Sequence, residues 1–246
     1  MKARLLSDIH FEFHRDGGEE FISRQNFDGV DVLILAGDIG VFSYGLKEQL
    51  IKLCEKAGER PVIYVAGNHD HYNQSMAQID SLRKKWRVQK DYPKNLQWLE
   101  NEIFVYQDQR FLGTTLWFPQ TSEALRLRGH LTDYDLIPDL VNTVDVRNRS
   151  AVRFLDDQMR RGDVIVTHHL PTHLVVQPEY RNSLLNCFYV TELHVLFRSS
   201  KPKFWFHGHS HAAHKDLIGD TTIMANPLGY PNQQTGFIDD LVIDLD

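Results

Sequence analysis

Hydrophobic positions along this chain fall into two rhythms. Short runs rich in aliphatic and β-branched residues, such as Val32-Leu33-Ile34-Leu35-Ala36 and Val62-Ile63-Tyr64-Val65-Ala66, are bounded by polar turns, as buried strands are. On this pattern strands are predicted over residues 2–6, 32–36, 62–66, 103–106, 111–116, 164–167, 204–206, 222–225 and 241–243. Between them the apolar period lengthens to that of a helix. Leu46, Leu50 and Leu53 fall on one face of a helix predicted over 46–57, which Gly58 stops. Further helices are predicted over 75–86, 145–160 and 190–197.

This alternation predicts an α/β fold. The first three strands each return through a helix, as βαβ units do. Later strands are expected to pair more locally, with hairpin turns at Gln107–Gln109 and Gly219–Asp220. The expected architecture is two mixed β-sheets packed face to face and flanked by helices. No repeat, low-complexity tract or linker interrupts residues 1–246, so one domain is expected. The least regular stretch, Phe118 to Thr143, is a candidate lid or loop over a site.

Composition narrows the partners. With 246 residues and 42% hydrophobic content the chain can bury a full core. Its 27 basic and 33 acidic residues give a net charge of −6, which disfavours duplex nucleic acid held by bulk electrostatics. No apolar run is long enough to span a membrane, and the Met1 segment runs at once into a strand, so a cytoplasmic location is expected. Cys54 and Cys187 match no metal-binding spacing and are expected to be buried thiols.

The candidate chemistry sits where strands end. Ser7-Asp8-Ile9-His10 follows the first strand, Gly37-Asp38 the second and Gly67-Asn68-His69-Asp70 the third. Asp8, Asp38 and Asn68 recur at intervals of 30 residues, one βαβ period, and ligands gather at the carboxyl ends of such strands. Later strands feed into His168-His169 and into His207-Gly208-His209-Ser210-His211. Carboxylate, amide and imidazole donors together suit manganese, iron or zinc better than magnesium or calcium. His14, His173, His194 and His214 are read as structural, because an isolated histidine near a strand end more often makes a hydrogen bond than holds a metal.

The ordered set Asp8-Ile9-His10, Gly37-Asp38, Gly67-Asn68-His69-Asp70, His168 and Gly208-His209-Ser210-His211 resembles the calcineurin-like metallophosphoesterase superfamily, whose pattern D-x-H, G-D, G-N-H-[DE], H, G-H-x-H it matches throughout. The resemblance spans residues 8 to 211 and implies a four-layer αββα fold. It favours His168 over His169, and His209 with His211 over His207. It implies two divalent or mixed-valence ions, manganese first with iron or zinc as alternatives. One would be held by Asp8, His10, Asp38 and His211, the other by Asp38, Asn68, His168 and His209. A hydroxide bridging the two ions would attack phosphorus, and His69 would serve as general acid for the departing alkoxide. Asp70 is expected to orient His69 or to support the ligands from behind.

Other motifs are weighed against plainer readings. Arg83-Lys84-Lys85-Trp86-Arg87 reads as a solvated helix face with Trp86 turned inward. In the segment Arg126 to Asp135, His130 or Asp133 is a candidate substrate contact, against an ordinary surface loop. Asn226-Pro227 reads as a backbone turn at the rim of the site. The expected function is a metal-dependent phosphoesterase acting on a small phosphate ester, with diesters slightly ahead of monoesters. A nuclease of the same superfamily and a non-catalytic metal-site scaffold are the alternatives.

Overall fold

The strands β1 (Lys2–Leu6), β2 (Val32–Ala36) and β3 (Val62–Val65) are buried at nearly every position, which an extended segment achieves only when both faces of its sheet are covered. The computed structural model, which describes residues 1–246, shows the two coverings. Leu33 and Leu35 of β2 pack outward with Leu46, Leu50 and Leu53 of helix α2 (Leu46–Ala57), beside the shorter α1 (Glu19–Arg24). Val32, Ile34 and Ala36 pack inward against Phe111, Val164, Val166, Phe204 and Phe206 of a second sheet. Burying each such aliphatic side chain is worth roughly 1.5–3 kcal/mol, so this inner layer is a principal cohesive term.

The first sheet has the order β11-β1-β2-β3-β4, with β4 at Leu96–Trp98 and β11 at Ile243–Asp244. Its strands are parallel except β11, which runs antiparallel to β1. The second sheet comprises β5 (Glu102–Tyr106), β6 (Gln109–Gly113), β7 (Val164–Val166), β8 (Phe204–His207), β9 (His214–Ile218) and β10 (Thr221–Ala225), in the order β5-β6-β7-β8-β10-β9. The expected local pairing is confined to the hairpins β5–β6 and β9–β10 at its two edges; β6, β7, β8 and β10 are mutually parallel. Two mixed sheets flanked by helices is the architecture expected above.

Several boundaries differ from expectation for local reasons. Helix α3 (Met76–Trp86) starts after Ser75, whose side chain accepts from Gln78 N–H while Gln78 reciprocates in a capping box. Helix α6 (Leu140–Gln158) begins five residues before the predicted 145, because Leu140 and Val144 extend the stripe of Ala151 and Leu155. Helix α7 (His194–Ser200) starts after the predicted 190, since Val190 is held in a parallel bridge to Leu170. The stretch from Phe118 is more regular than its sequence suggests. It holds α4 (Ser122–Leu127), a 3-10 turn at Arg128–His130, α5 (Asp133–Leu136) and the start of α6. Phe118, Ala124, Ile137 and Leu140 share a core with Val41, Trp117 and Phe188. Trp86 is buried as expected, and Arg83 and Arg87 pair with Glu102. Cys54 is buried, but Cys187 is only half-buried, contrary to expectation. No helix is long and apolar enough to cross a membrane.

Candidate metal centre

The parallel register brings the ends of β1, β2 and β3 to one edge, with Leu6 beside Leu35 and Ala36 beside Val65. Val166 of β7 likewise lies beside Phe206 of β8 in the facing sheet. The turns that follow interlock, Asp8 N–H donating to Gly37 O at 2.9 Å and His10 N–H to Asp38 O at 3.0 Å. Asp8, His10, Asp38, His209 and His211 all sit at φ between 49° and 66°. Non-glycine residues enter this left-handed region at a cost of roughly 1 kcal/mol or more each, and persist there where the surrounding structure fixes them. Two glycines admit the close approach. A Cβ at Gly208 would lie 2.6 Å from Asp8 Oδ2, and one at Gly67 would lie 2.2 Å from Asp38 Oδ1.

Side-chain donors then fall into two groups that share Asp38. Asp8, His10, Asp38 and His211 form one; Asp38, His168 and His209 form the other, and within each group the ligand atoms lie within 4.8 Å of one another. Asn68 joins the second through Oδ1, 3.0 Å from His168 Nε2. His169 instead directs Nδ1 to Thr115 O, and His207 directs Nε2 to His214. Of each pair of candidates, the structure turns His168 and His209 toward the cluster.

Hydrogen bonding sets the ring tautomers. His10 Nδ1 lies 3.1 Å from Glu12 Oε1, His168 Nδ1 2.9 Å from Ala36 O, and His211 Nδ1 2.7 Å from Gln233 Oε1. Each partner is an acceptor, so each Nδ1 carries a hydrogen and each Nε2 is the nitrogen turned to the cluster, free to coordinate once it is deprotonated. His10 Nε2 and His211 Nε2 are 3.1 Å apart. Two lone pairs so close call for a cation, a proton or a metal, between them. Asp8 Oδ2 and His209 Nε2 are buried without any hydrogen-bond partner, an arrangement that coordination would relieve.

The electrostatics agree with a cation site. Burial works against the charge of Asp38, yet the charges of His168 and His69 hold its carboxyl well below the ordinary value. Burial likewise opposes ionisation of Asp8, which His211 nevertheless lowers. Burial alone would lower His168, but Asp38 outweighs it and raises the ring to about 9. His209, buried and beside His169 and His168, is lowered well below the ordinary value and is therefore a neutral donor. The donor set fits two hard-to-borderline cations.

His69 stands beside this cluster. Its backbone N–H donates to Asp38 Oδ1 at 2.8 Å, its Nδ1 to Glu12 Oε1 at 2.9 Å, and its Nε2 lies 3.2 Å from the Tyr230 hydroxyl. Burial disfavours the charged ring, but Asp38 and the Glu12 hydrogen bond raise its pKa. Of the two expectations for Asp70, orienting His69 is not what the geometry shows. The Asp70 carboxylate accepts from the backbone N–H groups of Asp38, Ile39, Gly40 and Gly67, so it braces the turns that carry the ligands. Glu12 holds the His69 ring instead, and also holds His10.

A cavity of about 480 Å³ opens on Asp38, Asn68, His69, His209 and His211. His130 and Asp133 both line it. Asp133 is buried, however, and its Oδ1 accepts from Asn68 Nδ2 at 2.9 Å and from the Tyr72 hydroxyl at 2.7 Å. It therefore supports a candidate ligand as well as lining the cavity. Sequence reasoning missed Glu12, Tyr230 and Tyr189, the last lying against His209 at a ring separation of 4.4 Å. Only Glu12, two positions after His10, carried a usable signal. Asn226 bonds the backbone of Leu5 and Ile238, consistent with a turn device at the rim.

Comparison with known proteins places this geometry in context. A family model described as calcineurin-like phosphoesterase matches residues 1–213. An uncharacterized protein of Acanthamoeba polyphaga mimivirus is 28% identical over 274 residues, spanning 99% of this chain and 96% of the viral one. The structure of a phosphopantetheinyl hydrolase from Mycobacterium tuberculosis superposes with a TM-score of 0.75 at 17% identity, covering 94% of this chain and 90% of that one. A dimetal phosphatase from Danio rerio superposes at 0.50 with 14% identity, covering 92% and 86%. At these identities the two structures speak for the shared fold.

Proposed function

Because the chain belongs to the calcineurin-like phosphoesterase family, we propose that it hydrolyses a phosphate ester at a dinuclear metal centre, a diester in preference to a monoester. The reading rests on one arrangement, two donor groups sharing Asp38 with His69 beside them. Asp8, His10, Asp38 and His211 hold one ion; Asp38, Asn68, His168 and His209 hold the other. Manganese, iron and zinc all suit this set of carboxylate, amide and imidazole groups, manganese being the first choice. Bound there, two such ions supply an acidified water and neutralise charge on the phosphoryl oxygens.

The chain's own residues do the rest. Glu12 keeps one hydrogen of His69 on Nδ1, and the raised pKa favours a second proton on Nε2, which faces the cavity and is available to the leaving alkoxide. Tyr230 steadies that nitrogen through its hydroxyl. The cavity lining contains no lysine or arginine. Beyond the two ions, the second charge of a monoester dianion would meet no lysine or arginine in the lining, whereas a diester carries one charge. In this reading residues 1–246 form one domain, and the segment 118–143 is the wall that brings His130 and Asp133 to the site.

The test is hydrolysis of bis(p-nitrophenyl) phosphate and p-nitrophenyl phosphate by metal-stripped protein with manganese, iron or zinc added back. Metal-restored turnover, faster on the diester and lost in His69→Ala with metal content kept, is the expected result. Two ions still bound by Asp38→Asn would remove the shared-ligand role. Silence toward both esters with every metal would leave a binding scaffold as the better description.

A further inference from the structure

We propose that the cavity beside the metal centre seats one ester arm of the substrate and that this arm is uncharged and lays an apolar portion on the wall formed by Leu170, Val176, Leu185 and Tyr189. The proposal rests on the phosphoesterase reading above and concerns what is attached to the phosphate.

The excursion between Leu170 and Val190 builds the relevant wall. Its two ends are tied by a parallel bridge, with Leu170 N–H donating to Tyr189 O and Thr191 N–H to Leu170 O, both at 3.0 Å. Inside it the Asn186 side-chain amide donates to Tyr180 O at 2.8 Å, and Ser183 Oγ accepts from Leu185 N–H at 3.2 Å. These bonds hold Leu170, Val176, Tyr180, Leu185 and Tyr189 along the cavity. Two of them are also open to solvent, Tyr180 at 57% and Leu185 at 37%, and the neighbouring Leu184 is 58% exposed. Large apolar side chains fixed in the open at a cavity mouth gain free energy when an apolar group covers them.

The charges of the lining disfavour charged arms. Away from the metal centre and His69, an arm ending in carboxylate or phosphate meets no lysine or arginine. An ammonium-ended arm meets only Asp38 and Asp133, and both already serve His69, Asn68 and Tyr72. A cavity of about 480 Å³ exceeds what a phosphate alone needs and lies within the range of roughly 300–1,000 Å³ for small-molecule pockets.

The test uses p-nitrophenyl phosphodiesters whose second arm is methyl, butyl, octyl or carboxypentyl, with metal-loaded full-length chain. The expected ratio of kcat/KM for octyl over methyl is on the order of tenfold, what seating roughly two methylenes is worth, and it should arise through KM. The ratio should collapse toward one in Leu185→Asp and persist in Leu217→Asp, an exposed position on β9 that does not line the cavity. If Leu185→Asp fails to fold, Tyr180→Ala carries the same comparison at a more exposed position. Hydrolysis of the methyl ester with no preference for longer arms, or with preference for carboxypentyl, overturns the proposal and leaves the phosphoesterase reading standing. Absence of hydrolysis for every ester and metal overturns both.

Discussion

Asp133 accepts a hydrogen bond from the side-chain amide of Asn68 at 2.9 Å, and so decides which end of that amide faces His168. With Nδ2 turned to the carboxylate, Oδ1 is left pointing at the candidate metal position, the only end of the group able to coordinate. Asp133→Ala frees the amide to rotate. It is expected to weaken binding of one of the two proposed ions by roughly 10- to 100-fold, as loss of a group behind a ligand does, while Asp133→Asn, which still offers an oxygen, retains part of the affinity. Chelator competition measures both, and unchanged affinity in Asp133→Ala would reject the role.

Glu12 joins His10 to His69 through a single oxygen. Glu12→Ala leaves both rings free to change tautomer and is expected to reduce kcat by roughly 10- to 100-fold. KM should change little, because Glu12 does not line the cavity. Steady-state kinetics on a diester reads this split. A rise in KM with kcat preserved would assign Glu12 to substrate binding instead.

Gly67 is required by proximity, since an added Cβ would stand 2.2 Å from Asp38 Oδ1 and 2.4 Å from the Asp38 backbone nitrogen. Gly67→Ala is expected to cost about 1–3 kcal/mol of stability in the metal-free chain and to lower the metal content. Gly129→Ala, with nothing within 4 Å of the added carbon, should stay within about 0.5 kcal/mol of wild type. Thermal unfolding of the two variants side by side tests the contrast.

The two cysteines should react differently. Burial pushes the Cys54 thiol up to about 12, so almost no thiolate forms between pH 7 and 9 and the group is shielded as well. Cys187 is also raised by burial, but it is half-exposed. A thiol reagent at pH 8 should therefore modify one site per native chain and both in denaturant. Rapid modification of Cys54 in the native chain would show that its helix opens readily.

What could be read from the chain alone had strong local causes. The strands β1, β2 and β3 follow from aliphatic runs, α2 from its leucine stripe, and the candidate ligands from polar motifs placed just after strands. Weak local signals were missed. β4 has three residues, too few to show a period, and β9, His-Lys-Asp-Leu-Ile, is a largely polar edge strand. Pairing order and the parallel interior of the second sheet depend on crossovers through α6 and α7, which periodicity does not encode.

The candidate ligands themselves were determined by sequence, because turns at strand ends carry them in a fixed order. Their supports were decided only by tertiary structure. Glu12 meets His69 from 57 residues away, Asp133 meets Asn68 from 65, and Tyr230 meets His69 from 161. The left-handed backbone at Asp8, His10, Asp38, His209 and His211 is likewise held by contacts between turns that no single turn could maintain alone. A side chain's chemistry is local to its residue, but the direction of its lone pairs is set by whatever the fold places behind it.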